Sequence, residues 1–267
     1  MPALALLQAP DFLPIAVLIA GLLGACVGSF LSLVTYRLPR DERIGLSRSH
    51  CPQCSTPLKV FDLVPVLSWL AARGRCRHCN APVSIRYPLT ELACGLGAMA
   101  LVWSYGATLD TLALLGLWWS IVAIFVTDLE HYIILDEVQI AIALFGALHL
   151  YAQDLPFDDA IAAAITGALI GLALKYGFIF IRHKDGLGMG DVKFLAAAGI
   201  WLHDAYAFVP FLFFSGIMGI VSGIVWRLLG QGERFPFGPA LAMALLLCVL
   251  FPQAADGFWH LYGFIGE

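Results

Sequence analysis

"FLPIAVLIAGLLGACVGSFLSLVTY", Phe12–Tyr36, runs for 25 residues without a charged side chain. About 20 apolar residues suffice for a helix to cross the hydrocarbon core of a bilayer, so the stretch reads as a transmembrane helix. Directly behind it the chain turns basic, with nine of its fifteen Lys and Arg residues falling between Arg37 and Arg86. None precedes Arg37. The run therefore lacks the positive n-region of a cleaved signal peptide and reads as a retained anchor with its positive flank behind it.

The rest of the chain has the same character. With 60% hydrophobic and 13% charged side chains and a mean hydropathy of +0.85, an ordinary soluble domain is excluded. The net charge of −4 says little about partners; membrane lipid is the expected surrounding, and no nucleic acid is expected. Apolar runs at 12–36, 87–105, 111–128, 136–151, 160–181, 191–203, 206–228 and 238–252 predict an all-α membrane protein of about eight transmembrane helices. A loop domain on the cytoplasmic side separates helices 1 and 2. The runs 191–203 and 238–252 are short for a full span and call for tilt or a thinned bilayer. Four parts follow: the first helix, 1–36; the loop, 37–86; a seven-helix core, 87–252; and a C-terminal tail on the outer side, 253–267.

Charge sets the expected orientation. Arg182, Lys184, Arg227 and Arg234 lie at or near the same side as the basic loop, whereas 1–11, 106–110, 152–159, 204–205 and 253–267 hold Asp or Glu and no Lys or Arg. Both termini should face outward by the positive-inside rule. Lys175, a turn and a half before Arg182, is expected to snorkel to the inner surface and receives no role.

The loop carries "CPQC", Cys51–Cys54, and "CRHC", Cys76–Cys79, with twenty-one residues between them. Each CxxC presents two thiolates from a tight turn, and two such turns complete a tetrahedron, so Cys51, Cys54, Cys76 and Cys79 are expected to bind structural Zn²⁺. Disulfides and free thiols are the alternatives, and a reducing interior disfavours disulfides. Four thiolates leave no open coordination position, so the ion would organise the loop and not activate water. His78 reads as a solvated loop residue. Cys26, Cys94 and Cys248 sit in apolar runs at no ligand spacing and read as core packing.

Two carboxylates stand at the inner ends of predicted spans: Asp128 in "VTDLEHYIILDEV" closes the third, and Asp191 in "GLGMGDVKF" opens the sixth. Ionisable groups at such places are costly and often functional, although a hydrated carboxylate or a helix cap is the plain alternative. Gly186, Gly188 and Gly190 alternate before Asp191 and admit backbone shapes or close approaches that other residues forbid. They do not form a dinucleotide fingerprint, because the third glycine of GxGxxG would fall at Asp191, and no GxxxxGK[ST] is present.

In this order and spacing, "GSFLSLVTYRLP" (Gly28–Pro39), the two CxxC pairs, "RYPLTEL" (Arg86–Leu92), "DLEHYIILDE" (Asp128–Glu137), "GMGDVK" (Gly188–Lys193) and "PFGPAL" (Pro236–Leu241) resemble the bacterial type IV prepilin peptidases, membrane aspartic proteases of the GxGD class. The resemblance covers nearly the whole chain. It implies that a short basic leader ending in glycine is removed from prepilins and pseudopilins at the inner face of the cytoplasmic membrane, with Asp128 and Asp191 as the catalytic pair. Members with the tetracysteine loop also methylate the new N-terminal amine, usually on phenylalanine, using S-adenosylmethionine. Ser32 and Leu135 depart from the family pattern, which often has Asn and Pro there.

The implied chemistry needs two carboxylates. One accepts a proton from water while the other, protonated, donates to the scissile carbonyl; like charges held close share one proton and so supply base and acid together. Supporting roles fall to Gly188, Gly190, Glu91 and Lys193. Lys193 either pairs with Asp191 or snorkels, and Glu91, Glu130, His131 and Asp136 are either interfacial polar residues or tune the pair and bind the leader. The zinc loop and nearby inner helix ends are expected to shape the methyl-transfer site. Gly21, Gly24 and Gly28 form a small-residue stripe for a substrate helix or, more simply, for another span of this chain. The alternatives are an ion- or proton-coupled transporter in which Asp128 and Asp191 bind a cation, and a zinc-loop scaffold without catalysis.

Overall fold

The computed structural model describes residues 12–44, 48–183, 186–232 and 235–253. The 1–11 segment, the tail beyond Gln253, Lys184 and Arg234, which entered the orientation argument, lie outside them. The described residues form helices and no strands, apart from two isolated bridges in the cysteine loop. Nine α-helices follow in order: α1 Leu13–Arg37, α2 Leu67–Ala71, α3 Arg86–Tyr105, α4 Leu109–His131, α5 Asp136–Ala152, α6 Phe157–Arg182, α7 Met189–Leu202, α8 Phe208–Leu228 and α9 Gly238–Leu250. Eight of them, all but the five-residue α2, coincide within a few residues with the eight apolar runs.

Local chemistry sets their ends. Proline stands in the first turn of α1 and of α9, where the missing N–H is not needed. Asp136 and Glu137 open α5, and Asp158 and Asp159 open α6, which closes on Arg182, each charge complementing the helix dipole. Large apolar side chains face outward, with Leu22 70% and Phe180 83% exposed. Such a surface suits lipid and not water. By length and composition, the helix of α1, α4, α6 and α8 can each cross a membrane; α9 is a shorter apolar helix. The 14-residue α7 is only about 21 Å long.

The chain divides between Val126 and Thr127 into two compact units. In the first, α1 packs on α3 at glycines: a Cβ on Gly24 would lie 2.7 Å from the Cys94 carbonyl oxygen, and one on Gly28 would lie 2.7 Å from Glu91 Cα. The small-residue stripe is thus consumed by internal packing. Cys26 is exposed, against expectation, because it lies about 200° around α1 from Gly24; Cys94 and Cys248 are buried.

In the second unit α7 packs against α6, α5 and α9. Phe194, Ala198 and Trp201 are buried along it, and Trp201 Nε1 donates to the Ile142 carbonyl at 2.9 Å. A short helix enclosed by its neighbours in this way does not need the full apolar length of a lipid-facing span.

Candidate active site and metal centre

Asp128 lies in the last turns of α4 and is 5% exposed. Its Oδ2 accepts a 2.7 Å hydrogen bond from the backbone N–H of Gly238, the first residue of α9. That N–H belongs to the positive end of a helix and has no intrahelical partner, so a carboxylate completes it. Asp191 lies in the first turn of α7, and its Oδ2 accepts the N–H of Gly188 at 3.0 Å. Each acid is therefore oriented through one oxygen by a helix N-terminus.

Asp128 and Asp191 both belong to the second unit and lie within electrostatic reach of each other. Both Asp128 and Lys175 interact electrostatically with Asp191. The Gly-x-Gly-Asp motif earns its glycines through space and not through unusual backbone angles, since Gly188 has φ −63°. A Cβ on Gly188 would come to 3.1 Å from Asp191 Oδ2, and one on Gly190 would lie 3.4–3.6 Å from Ile134. Gly186 packs against Phe178 of α6, so the loop returns onto that helix.

Two contributors escaped the sequence reading. Lys175 does not snorkel into solvent: it is 8% exposed, and Nζ donates to the Leu187 carbonyl at 2.8 Å, within the loop that carries Asp191. The signal was a single lysine inside an otherwise apolar run. Gly238 was noticed only within "PFGPAL", where a glycine at a helix start advertises a free N–H.

The supporting residues separate. Lys193 pairs with Asp136, Nζ to Oδ1 at 2.7 Å and to Oδ2 at 2.8 Å, and not with Asp191; two residues along a helix is about 200° of rotation, which turns the two side chains apart. Glu130 and His131 approach each other at 3.8 Å. Glu91, 8% exposed on α3, accepts the backbone N–H of Val66 at 2.7 Å. Val66 has φ +62°, a left-handed value costly for a β-branched residue, and the Glu91 bond holds that turn.

The four cysteines converge. One Sγ from each of Cys51, Cys54, Cys76 and Cys79 lies within 4.8 Å of the others, with Cys51 and Cys79 sulfurs 3.9 Å apart. Tetrahedral thiolate bonds of about 2.3 Å place sulfurs about 3.8 Å apart, so the set fits a metal ion. Its two halves are built alike: Ser55 N–H donates to the Cys51 carbonyl at 2.8 Å and Asn80 N–H to that of Cys76 at 3.0 Å, and Ser55 and Asn80 both have positive φ. Bridges His50–Pro57 and Arg75–Pro82 close both turns. The repeat is visible in "HCPQCSTP" and "RCRHCNAP".

Protonation within the cluster is uneven. Hydrogen bonds with Thr56 draw Cys54 down to about 6, and the Cys79 and His78 amides lower Cys76. The Ala81 amide pulls Cys79 down as well, but desolvation and the adjoining Cys54, Cys76 and Cys51 thiols outweigh it and push Cys79 up to about 11.

Comparison with known proteins gives matches in both halves of the chain. Residues 22–105 match the bacterial peptidase A24 N-terminal domain, and residues 114–224 match the type IV leader peptidase family. A prepilin leader peptidase/N-methyltransferase of Pseudomonas putida is 34% identical, across 87% of this chain and 89% of that protein. One of Aeromonas hydrophila is 34% identical across 90% and 91%, and one of Neisseria gonorrhoeae is 32% identical across 86% and 89%. No solved structure matches the chain. With relatives this similar along almost their whole length, the chain belongs to the type IV leader peptidase family.

Proposed function

We propose that the chain is a membrane aspartic endopeptidase that removes the basic leader of type IV prepilins and pseudopilins after glycine, and then N-methylates the exposed amine with S-adenosylmethionine. The names carried by its relatives support both activities. The observation that supports the proteolytic reading is that Asp128 and Asp191 lie within electrostatic reach of each other, each oriented through Oδ2 by an N–H at a helix start.

In this reading the pair holds one proton between two acids. The ionised carboxylate takes a proton from water as the water oxygen bonds to the scissile carbonyl carbon. The protonated one donates to the carbonyl oxygen. The C–N bond then breaks, and the proton taken from water passes to the leaving amine. Lys175, holding the loop before Asp191, keeps that acid in register; a small misplacement of a reacting group is expensive in rate.

Zn²⁺ on Cys51, Cys54, Cys76 and Cys79 would hold the loop in shape with no position left for a reacting ligand. Methyl transfer asks for a neutral amine aimed at the methyl group, and proximity supplies much of the acceleration. S-adenosylmethionine supplies that methyl group when bound. The eight helices α1 and α3–α9 are read as crossing the inner membrane of a bacterium, with the loop and the acid pair on the cytoplasmic side.

The test is incubation of purified protein in lipid with a prepilin peptide, with and without S-adenosylmethionine, followed by mass spectrometry. Leader loss reports cleavage, and a further methyl mass reports transfer. Undiminished cleavage by either Asp128→Asn or Asp191→Asn would remove that residue from the pair.

A further inference from the structure

A groove of about 420 Å³ lies on the second unit between α5, α6 and α7. Its lining changes character in steps. At one end stand Asp136 and Lys193, joined as an ion pair and 63% and 50% exposed. One helical turn further along α5 comes Gln139, which is 5% exposed and has no hydrogen-bond partner for either its amide nitrogen or its amide oxygen. Beyond it the walls are apolar: Ala143 from α5, Ala164 from α6, Ala197 and Ile200 from α7. Both α5 and α7 run away from the charged end, so the order is charge, then amide, then hydrocarbon.

A buried amide without partners is unfavourable and rare in a folded protein. Gln139 lines the groove with its amide atoms just beneath the surface, and a rotamer change of its unbranched side chain would bring Nε2 to a carbonyl or hydroxyl entering there. Because the charged end pairs one cation with one anion, the head that fits best is itself net neutral. The acid pair is not involved: Lys193, Ala197 and Ile200 follow one face of α7, and Asp191 precedes Lys193 by about 200° of helix rotation.

We propose that this groove binds one glycerophospholipid of the surrounding membrane, with a zwitterionic headgroup. Its phosphate lies beside Lys193 and its ammonium beside Asp136; a glycerol ester carbonyl accepts from Gln139 Nε2, and an acyl chain covers the alanines. The site complements a lipid by the same sequence of polarity that a lipid presents from head to tail.

The experiment uses the full chain purified in mild detergent. Native mass spectrometry counts the phospholipid retained, and thermal unfolding of delipidated protein is followed with added phosphatidylethanolamine or phosphatidylglycerol. Wild type should retain one phospholipid and be stabilised more by phosphatidylethanolamine. Gln139→Leu, which removes the unpartnered amide and so should fold, and Ala143→Leu, which fills the groove, should each lower retention by about fivefold or more, the scale of one lost hydrogen bond or contact. Equal retention by wild type and both variants overturns the proposal, as does stronger stabilisation by phosphatidylglycerol. Protection of Ala143→Cys from a thiol-reactive label by a prepilin peptide but not by lipid would also overturn it, in favour of a substrate groove.

Discussion

Gly238 donates its backbone N–H to Asp128 Oδ2 at 2.7 Å, across 110 residues of chain. This bond ties the end of α4 to the start of α9 and needs only an acceptor oxygen, which an asparagine also has. Asp128→Asn should therefore leave the fold intact while removing a proton-transfer group. Cleavage should fall by about 10²- to 10⁴-fold, the usual worth of a positioned acid or base, with an unchanged unfolding midpoint; the same is expected of Asp191→Asn. A variant that unfolds instead would show a structural role.

Gly188 faces Asp191 Oδ2 at the distance where a methyl group begins to crowd it. Gly188→Ala should slow cleavage by about 10- to 100-fold through displacement of the carboxylate. Gly177 in α6 has open space where its Cβ would be, so Gly177→Ala should keep activity and gain up to about 1 kcal/mol of helix stability. Equal rates for the two variants would remove the steric account of the motif.

At pH 7 the raised Cys79 thiol is protonated, and zinc binds thiolate. Titrating zinc into metal-free protein should release at least one proton per ion, measured by calorimetry in buffers of different ionisation enthalpy. The sign follows from protonation competing with metal: affinity falls as pH falls, most steeply below about 6, where Cys54 also regains its proton. Pairwise changes of Cys51 and Cys76 to Ser should abolish the bound ion. If the loop shapes methyl transfer, serine at all four positions gives cleaved but unmethylated product; full methylation by the folded variant would detach the loop from that reaction.

Glu91 holds the Val66 turn by accepting its backbone N–H. Glu91→Ala leaves that amide without its acceptor and should cost about 1–3 kcal/mol. Glu91→Gln keeps an acceptor oxygen and should cost less. Unfolding midpoints, with limited proteolysis around Val66, distinguish the two; equal loss would mean that the charge, and not the acceptor, is what the turn requires.

The helices were legible because their signal is local. Apolar runs predicted α1 and α3–α9 to within a few residues, and CxxC spacing singled out the four cysteines that cluster. Asp128 and Asp191 stood out for the same reason, since each closes or opens an apolar run. Lys175 was misread because a lysine near a span end looks alike whether it reaches water or a carbonyl.

Partners were a different matter. Nothing local in the chain says that Lys193 meets Asp136 and turns from Asp191, that Glu91 holds Val66, that Gly24 and Gly28 are filled by α3, or that Gly238 serves Asp128. Spacing and hydropathy specify which segments become helices and which faces are small or polar, because those depend on neighbours a few residues away. Which helix end reaches which side chain depends on how whole helices pack, a property of surfaces distant in the chain that meet only when the bundle has formed.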